Sequence, residues 1–81
     1  QNYPNPFNPT TKIKFTLQKY SHVTIKVFAS DGTQVAILIN EDMKNGEYEV
    51  EFSGKDLSSG VYFYQMEAKD FKETKKMLII K

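Results

Sequence analysis

The chain has 81 residues, no cysteine and no tryptophan, and a net charge of +1 from 11 basic and 10 acidic residues. That length gives one domain, which buries only about 60% of its unfolded surface and cannot staple its core with disulfides or a thiolate metal cage. Every basic residue is Lys, so the balanced charge and the lack of Arg forks both argue against nucleic-acid recognition. No apolar run approaches the ~20 residues of a membrane helix.

All three prolines fall in Gln1-Asn2-Tyr3-Pro4-Asn5-Pro6-Phe7-Asn8-Pro9. Proline lacks an amide donor and forces the preceding residue out of the helical region, so this stretch is extended or turning. Residues 1–9 read as a lead-in linker, pinned to the fold by Tyr3 and Phe7, and residues 10–81 as a single β-sandwich domain. The chain opens on Gln1 and not Met, so a fragment or a processed form is expected. An export signal, if the protein uses one, is expected elsewhere in a longer parent.

Six strands follow by period-two alternation. Thr11 to Leu17 turns Ile13, Phe15 and Leu17 to one face and Lys12, Lys14 and Thr16 to the other. Val23 to Ala29 turns Val23, Ile25 and Val27 inward, and Asp31-Gly32 marks a tight hairpin, since Gly supplies φ > 0 at little cost. Gln34 to Ile39 is expected to place Val35, Ile37 and Ile39 on one face. Asn45-Gly46 is a second turn. Glu47 to Phe52 puts Tyr48, Val50 and Phe52 inward and Glu47, Glu49 and Glu51 outward.

The loop from Ser53 to Gly60 is polar, with Leu57 as a plug. Val61 to Ala68 follows, apolar on both faces at Val61-Tyr62-Phe63-Tyr64, as expected of a central strand covered on both sides at that end. Lys69 to Lys72 turns the chain, and Thr74 to Ile80 forms the last strand. Short strands at this spacing with no helical period indicate an all-β, Ig-like antiparallel sandwich of six to seven strands.

Chemistry is sparse. His22 is the one histidine. It lies beside Ser21 in the turn before the second strand. Nothing in the sequence orients it as a catalytic base requires, so a solvent-facing histidine is the reading. Glu47, Glu49 and Glu51 lie ~7 Å apart along one strand, too far to cage one Ca²⁺, and read as a solvated acidic face opposite Lys12 and Lys14. Glu41 with Asp42 is a weaker Ca²⁺ candidate. Charge is uneven: residues 1–39 hold four Lys against Asp31, net +3, and residues 40–56 hold six acids against two Lys, net −4. Cross-strand pairing accounts for this asymmetry. Tyr62, Phe63, Tyr64 and Phe71 form an aromatic platform or, by default, core. No catalytic, metal or cofactor residue is assigned. Composition and spacing thus lead to a small β-sandwich without an active site.

Four motifs in fixed order add a function. They are Asn2-Tyr3-Pro4-Asn5-Pro6-Phe7-Asn8-Pro9-Thr10-Thr11, Val23-Thr24-Ile25-Lys26-Val27-Phe28 with Asp31-Gly32, the paired Gly46-Glu47-Tyr48 and Gly60-Val61-Tyr62, and Lys75-Lys76-Met77-Leu78-Ile79-Ile80-Lys81. Together they resemble the type A C-terminal sorting domain of type IX secretion, related in pattern to the Ig-like domain of flagellar hook-capping proteins. Gln18 stands where such sequences often carry Pro, and Lys69 where Gly is common, so Lys69 is expected either to take an unfavourable φ > 0 or to change the type of the last turn. The resemblance implies a non-catalytic signal that takes a parent protein from the periplasm through an outer-membrane translocon. It further implies that a sortase-like component removes the domain and attaches the parent to surface lipopolysaccharide, so that the parent ends at the cell surface or outside the cell. Gly46, Tyr48, Gly60, Tyr62, Lys75, Lys76 and Lys81 are the sorting-signal candidates that it implies. Rival readings are a carbohydrate-binding module of a secreted hydrolase, which needs an exposed aromatic row, and an Ig-like structural spacer. A weak homodimer through strand edges is compatible with so small a sandwich.

Overall fold

The computed structural model describes residues 10–69 and 71–80. The expected anchoring by Tyr3 and Phe7 and the role expected of Lys81 lie outside the described residues. Six strands run in chain order: β1 (Thr10–Leu17), β2 (Ser21–Ala29), β3 (Gln34–Met43), β4 (Gly46–Ser53), β5 (Gly60–Ala68) and β6 (Phe71–Ile79). No helix occurs among the described residues. All pairings are antiparallel. A two-stranded sheet, β1-β4, faces a four-stranded sheet ordered β3-β2-β5-β6. This is a small β-sandwich, as expected.

The core lies between the sheets in two connected clusters. Ile13, Phe15 and Leu17 of β1 meet Val23 and Ile25 of β2 and Met66 of β5. Val27, Phe52, Tyr62 and Ile79 form the second cluster, with half-buried Leu57 packed against it as the plug between β4 and β5. Phe15 and Tyr48, directly opposite across β1 and β4, stack with centroids 5.4 Å apart. Alternation holds cleanly along β1 and β2, because each has one face on this core.

Four expectations are corrected. In β3, Ile37 points to solvent, opposite Lys26, while Leu38 packs on both clusters. Two register shifts cause this: Leu38 and Val35 are extra residues against β2, and each bulge moves the following side chains by one position. β3 also runs four residues past Ile39, because β2 continues to offer it a hydrogen-bonding partner out to Ser21↔Met43. β6 begins at Phe71 instead of Thr74, which leaves a connection of only two residues after Ala68. β5 is central, flanked by β2 and β6, yet its outer face is open: Val61 is 38% exposed.

The turns follow from local chemistry. Ser30–Thr33 closes the β2-β3 hairpin as a four-residue connection, wider than the tight turn expected. The Gly32 N–H donates to the Ala29 carbonyl at 2.9 Å, and the Ala29 N–H to the Thr33 carbonyl at 2.8 Å. Gly32 takes φ +92°, and the Asp31 carboxylate accepts from the Thr33 N–H at 2.9 Å, an Asx turn that holds its pKa below the usual range. No described residue other than glycine has positive φ, so Lys69 keeps an ordinary backbone.

Candidate functional site

The two Gly-x-Tyr motifs form the same local device. In each, a glycine opens a strand with φ near +150°: Gly46 at +151° and Gly60 at +156°. The tyrosine two positions on folds its ring back over the glycine, where an added Cβ would lie 3.8 Å from the Tyr48 ring and 4.0 Å from the Tyr62 ring. Its hydroxyl then donates to a carbonyl in the preceding turn, Tyr48 to Lys44 at 2.6 Å and Tyr62 to Ser58 at 2.8 Å. Gly46 marks the corner where the chain passes from the four-stranded to the two-stranded sheet, and Gly60 the corner where it returns. Both corners lie where the chain changes layer, and each tyrosine satisfies a loop carbonyl that no sheet ladder reaches.

Lys75 and Lys76 lie elsewhere, on β6, an edge of the four-stranded sheet. Both are exposed. Lys76 pairs with Phe63 and faces outward. Lys75 pairs with Tyr64, on the side of the sheet that carries the core, but the two-stranded layer does not reach over this part of β6. Its ammonium lies 4.0 Å from Glu73. β6 is anchored at its far end by buried Ile79, which packs so closely on Gly54 that a Cβ there would come within 2.8 Å of the isoleucine Cδ1. The candidates thus divide into two tyrosine corners and one basic edge.

The acidic row on β4 meets a complementary row on β1. Lys12 lies opposite Glu51, Lys14 opposite Glu49, and Thr16 opposite Glu47, with Lys14 and Glu49 4.0 Å apart. The carboxylates are therefore set among ammoniums on a solvated face, as expected. The proposed aromatic platform is divided. Tyr62 is core, Tyr64 packs against both clusters, Phe63 faces the opposite side, and Phe71 opens the edge strand.

His22 differs from expectation in two respects: it lies in a strand and not in the turn before it, because β2 begins at Ser21, and it is oriented. It lies within β2, opposite Asp42. As the imidazolium, its Nδ1 donates to Asp42 at 2.7 Å and its Nε2 to Asn40 at 2.7 Å, while the Tyr20 hydroxyl donates to the other Asp42 oxygen at 3.2 Å. The bonds from Asp42 and Asn40 raise the His22 pKa, and the bonds from His22 and Tyr20 lower that of Asp42. The negative charge of Asp42 raises the Tyr20 pKa. Ser21 is buried on the other face of the strand, so this exposed cluster has no nucleophile beside it. The sequence contained one signal of the pairing, an acid at the polar end of β3, but it becomes legible only once β3 extends to Met43.

No curated protein and no solved structure matches the chain. A family described as "Secretion system C-terminal sorting domain" matches residues 1–81, the whole length. With a six-stranded sandwich and a family match that spans every residue, the chain belongs to the C-terminal sorting domains of type IX secretion, signals that mark proteins for export and are not themselves catalytic.

Proposed function

We propose that residues 10–81 fold in the periplasm as an autonomous β-sandwich, with residues 1–9 as the link to an N-terminal parent. The folded domain is then read by an outer-membrane translocon and by sortase-like components that deliver the parent to the cell surface or the medium. Lys75, Lys76 and Lys81 form the contact surface of the signal. Gly46, Tyr48, Gly60 and Tyr62 contribute by fixing the two corners, and through them the position of the strands.

One observation carries this reading: β6 is an edge strand with a consecutive pair of exposed lysines, one on each side of the sheet. An edge offers unpaired backbone groups that a receptor can extend by strand addition, and side chains of alternating direction then set specificity. Lysines also keep edges from pairing with other copies. The two roles are compatible, because protection against non-specific pairing leaves the edge available to a partner that supplies carboxylates.

The test is export of a reporter fused to residues 1–81, behind an inner-membrane export signal, in a host with an intact type IX system. Deleting the last strand would remove buried Ile79 and confound export with unfolding. The informative variant is therefore Lys75→Glu with Lys76→Glu, at exposed positions. Export of the parent fusion and periplasmic retention of the folded variant support the reading. Equal export of both removes the lysine pair from the signal.

A further inference from the structure

The outer face of the four-stranded sheet carries an apolar band that none of the described residues covers. β2 and β5 place Phe28 directly opposite Phe63, and β5 and β6 place Val61 opposite Leu78. Ile37, opposite Lys26, extends the band onto β3, and Ile80 continues it past β6. Leu78 is 64% exposed, Ile80 59% and Ile37 51%. Cross-strand neighbours lie ~5 Å apart and same-face neighbours along a strand ~7 Å, so these side chains form one contiguous patch across all four strands. A small domain that buries only about 60% of its surface gains from every apolar side chain it covers, and so many left bare on one face mark an interaction surface.

The rim indicates what covers it. Lys26 flanks Phe28 along β2, and Lys76 lies opposite Phe63 on β6. The nearest carboxylate on this face of β5 is Glu67, two positions beyond Gln65 and paired with Lys72. At the β3 end, Asp42 is engaged by His22 and Tyr20. Among the described strand residues of this face, the side chains that flank Phe28 and Phe63 are the cations Lys26 and Lys76, while Asp31 lies beyond the band in the hairpin, so the strands present positive charge that suits an acidic rim on the occupant. A second copy is a poor match: it would bring like charges together across the two-fold. The band spans four strands (~19 Å) and about six residues along them (~20 Å), about 400 Å², which falls short of the ~800 Å² per partner of a stable interface. A patch of that size suits a transient contact, which a cargo signal requires because it must be released. An anionic membrane is a poor match as well, since two lysines near a bilayer attract it only weakly and no tryptophan anchors the face.

We infer that this face, centred on Phe28, Phe63, Val61 and Leu78, is a docking surface for a protein of the secretion machinery whose complementary site is apolar at its centre and acidic at its rim. The inference rests on the sorting function and adds a second contact surface beside the lysine edge.

The test uses the reporter fusion with three exposed band residues made polar (Ile37→Thr, Val61→Thr and Leu78→Thr) and, separately, with Lys26→Glu. A control carries Lys12→Thr and Glu51→Thr on the opposite sheet. Urea midpoints of the purified full chain establish folding for each. The expected result is export reduced at least tenfold by the band triple and severalfold by Lys26→Glu, with the control unchanged. Unaltered export by a folded triple, while the fusion without substitutions is exported, overturns the docking face and leaves the sorting function standing. If that unsubstituted fusion is itself retained, the sorting reading fails and this inference falls with it. Three results replace the occupant and so overturn the proposal. They are a dimer in sedimentation that Leu78→Thr dissolves, flotation with anionic phospholipid vesicles that Lys26→Glu abolishes, and displacement of the Phe28 and Phe63 NMR signals by Phe7→Ala.

Discussion

Tyr48 and Tyr62 make the same bond in two places, each giving its hydroxyl to the carbonyl four residues earlier, at 2.6 and 2.8 Å. A glycine with φ near +150° stands midway in both cases, and the ring covers it. The corners differ in burial: Tyr62 is core, whereas the Tyr48 bond is exposed to water. Removing a hydroxyl from an exposed bond costs about 0.5–1 kcal/mol, and stranding a less exposed carbonyl costs about 1–3 kcal/mol. Tyr62→Phe is therefore expected to destabilise the domain more than Tyr48→Phe. Urea unfolding of the two variants measures the difference, and equal midpoints would refute the burial argument.

The glycines of those corners give a sharper test. An L side chain at φ near +150° is strained by roughly 1–3 kcal/mol. Space is not the obstacle, because the nearest atoms to an added Cβ are at ordinary contact distance. Gly46→Ala and Gly60→Ala should each lower stability by that amount through backbone strain alone. A domain of this size has only about 5 kcal/mol to lose. The double variant should lose about 2–6 kcal/mol in all, which brings it close to its unfolding midpoint, and its thermal transition followed by circular dichroism should begin near 25 °C.

The bulges in β3 reverse the roles of two adjacent residues. Leu38 packs on both core clusters, and Ile37 is half in solvent. Leu38→Ala is expected to cost about 2–3 kcal/mol, and Ile37→Ala about 0.5 kcal/mol or less. The opposite ranking would mean that β3 lacks the extra residues and pairs in simple register.

β1, β2 and β4 were legible because each has one face on the core and the other in water, which imposes period two on their residues. β3 was not. Its bulges at Val35 and Leu38 break the period, and its polar end from Asn40 to Met43 is held in a strand by the β2 ladder against weak intrinsic preference. For the same reason the His22–Asp42 pair stayed hidden, since it exists only if β3 runs that far. At β5 the apolar outer positions are real, but nothing among the described residues covers them. Alternation reports that a face is apolar, and cannot distinguish one buried within the chain from one reserved for a partner. The lysines of β6 were legible as exposed by pattern. The tyrosine corners were not, because the carbonyls that Tyr48 and Tyr62 reach lie in turns with no sequence signature of their own.

The His22 cluster gives stability an upper and a lower pH limit. In the folded chain His22 titrates above its ordinary 6.5, through its bonds to Asp42 and Asn40. Its contribution is thus complete below pH 6.5 and lost as pH rises through the folded value. Asp42 titrates below its ordinary 3.8, through its bonds from His22 and Tyr20, so its contribution is complete above that pH and lost as pH falls through the folded value. The cluster stabilises most between about pH 4 and 6.5. The His22 Cε1 proton, followed by NMR, should titrate with a midpoint above 6.5, and Asp42→Asn should bring that midpoint down. A midpoint at or below 6.5 in the unsubstituted chain would mean that the two short bonds are not populated in solution.

Ile79 gives the final prediction, because it ties the lysine edge to the fold. It is the buried residue of β6 and rests on Gly54, in the loop leading to the Tyr62 corner. Ile79→Ala removes core volume and should cost about 2–4 kcal/mol, which leaves the domain partly unfolded. Gly54→Ala instead inserts a methyl group 2.8 Å from the tip of the Ile79 side chain, 3.3 Å from its Cγ2 and 3.4 Å from its Cγ1. The tip can rotate away, but the two atoms nearer the backbone have less freedom, so a cost of about 1–2 kcal/mol is expected. Pairing Gly54→Ala with Ile79→Val relieves the crowding, and the double variant should be more stable than the sum of the single effects allows. Additive losses in a urea-unfolding cycle would show that Gly54 and Ile79 do not crowd one another, and that Ile79 holds β6 through its packing with Val27, Phe52 and Tyr62 instead.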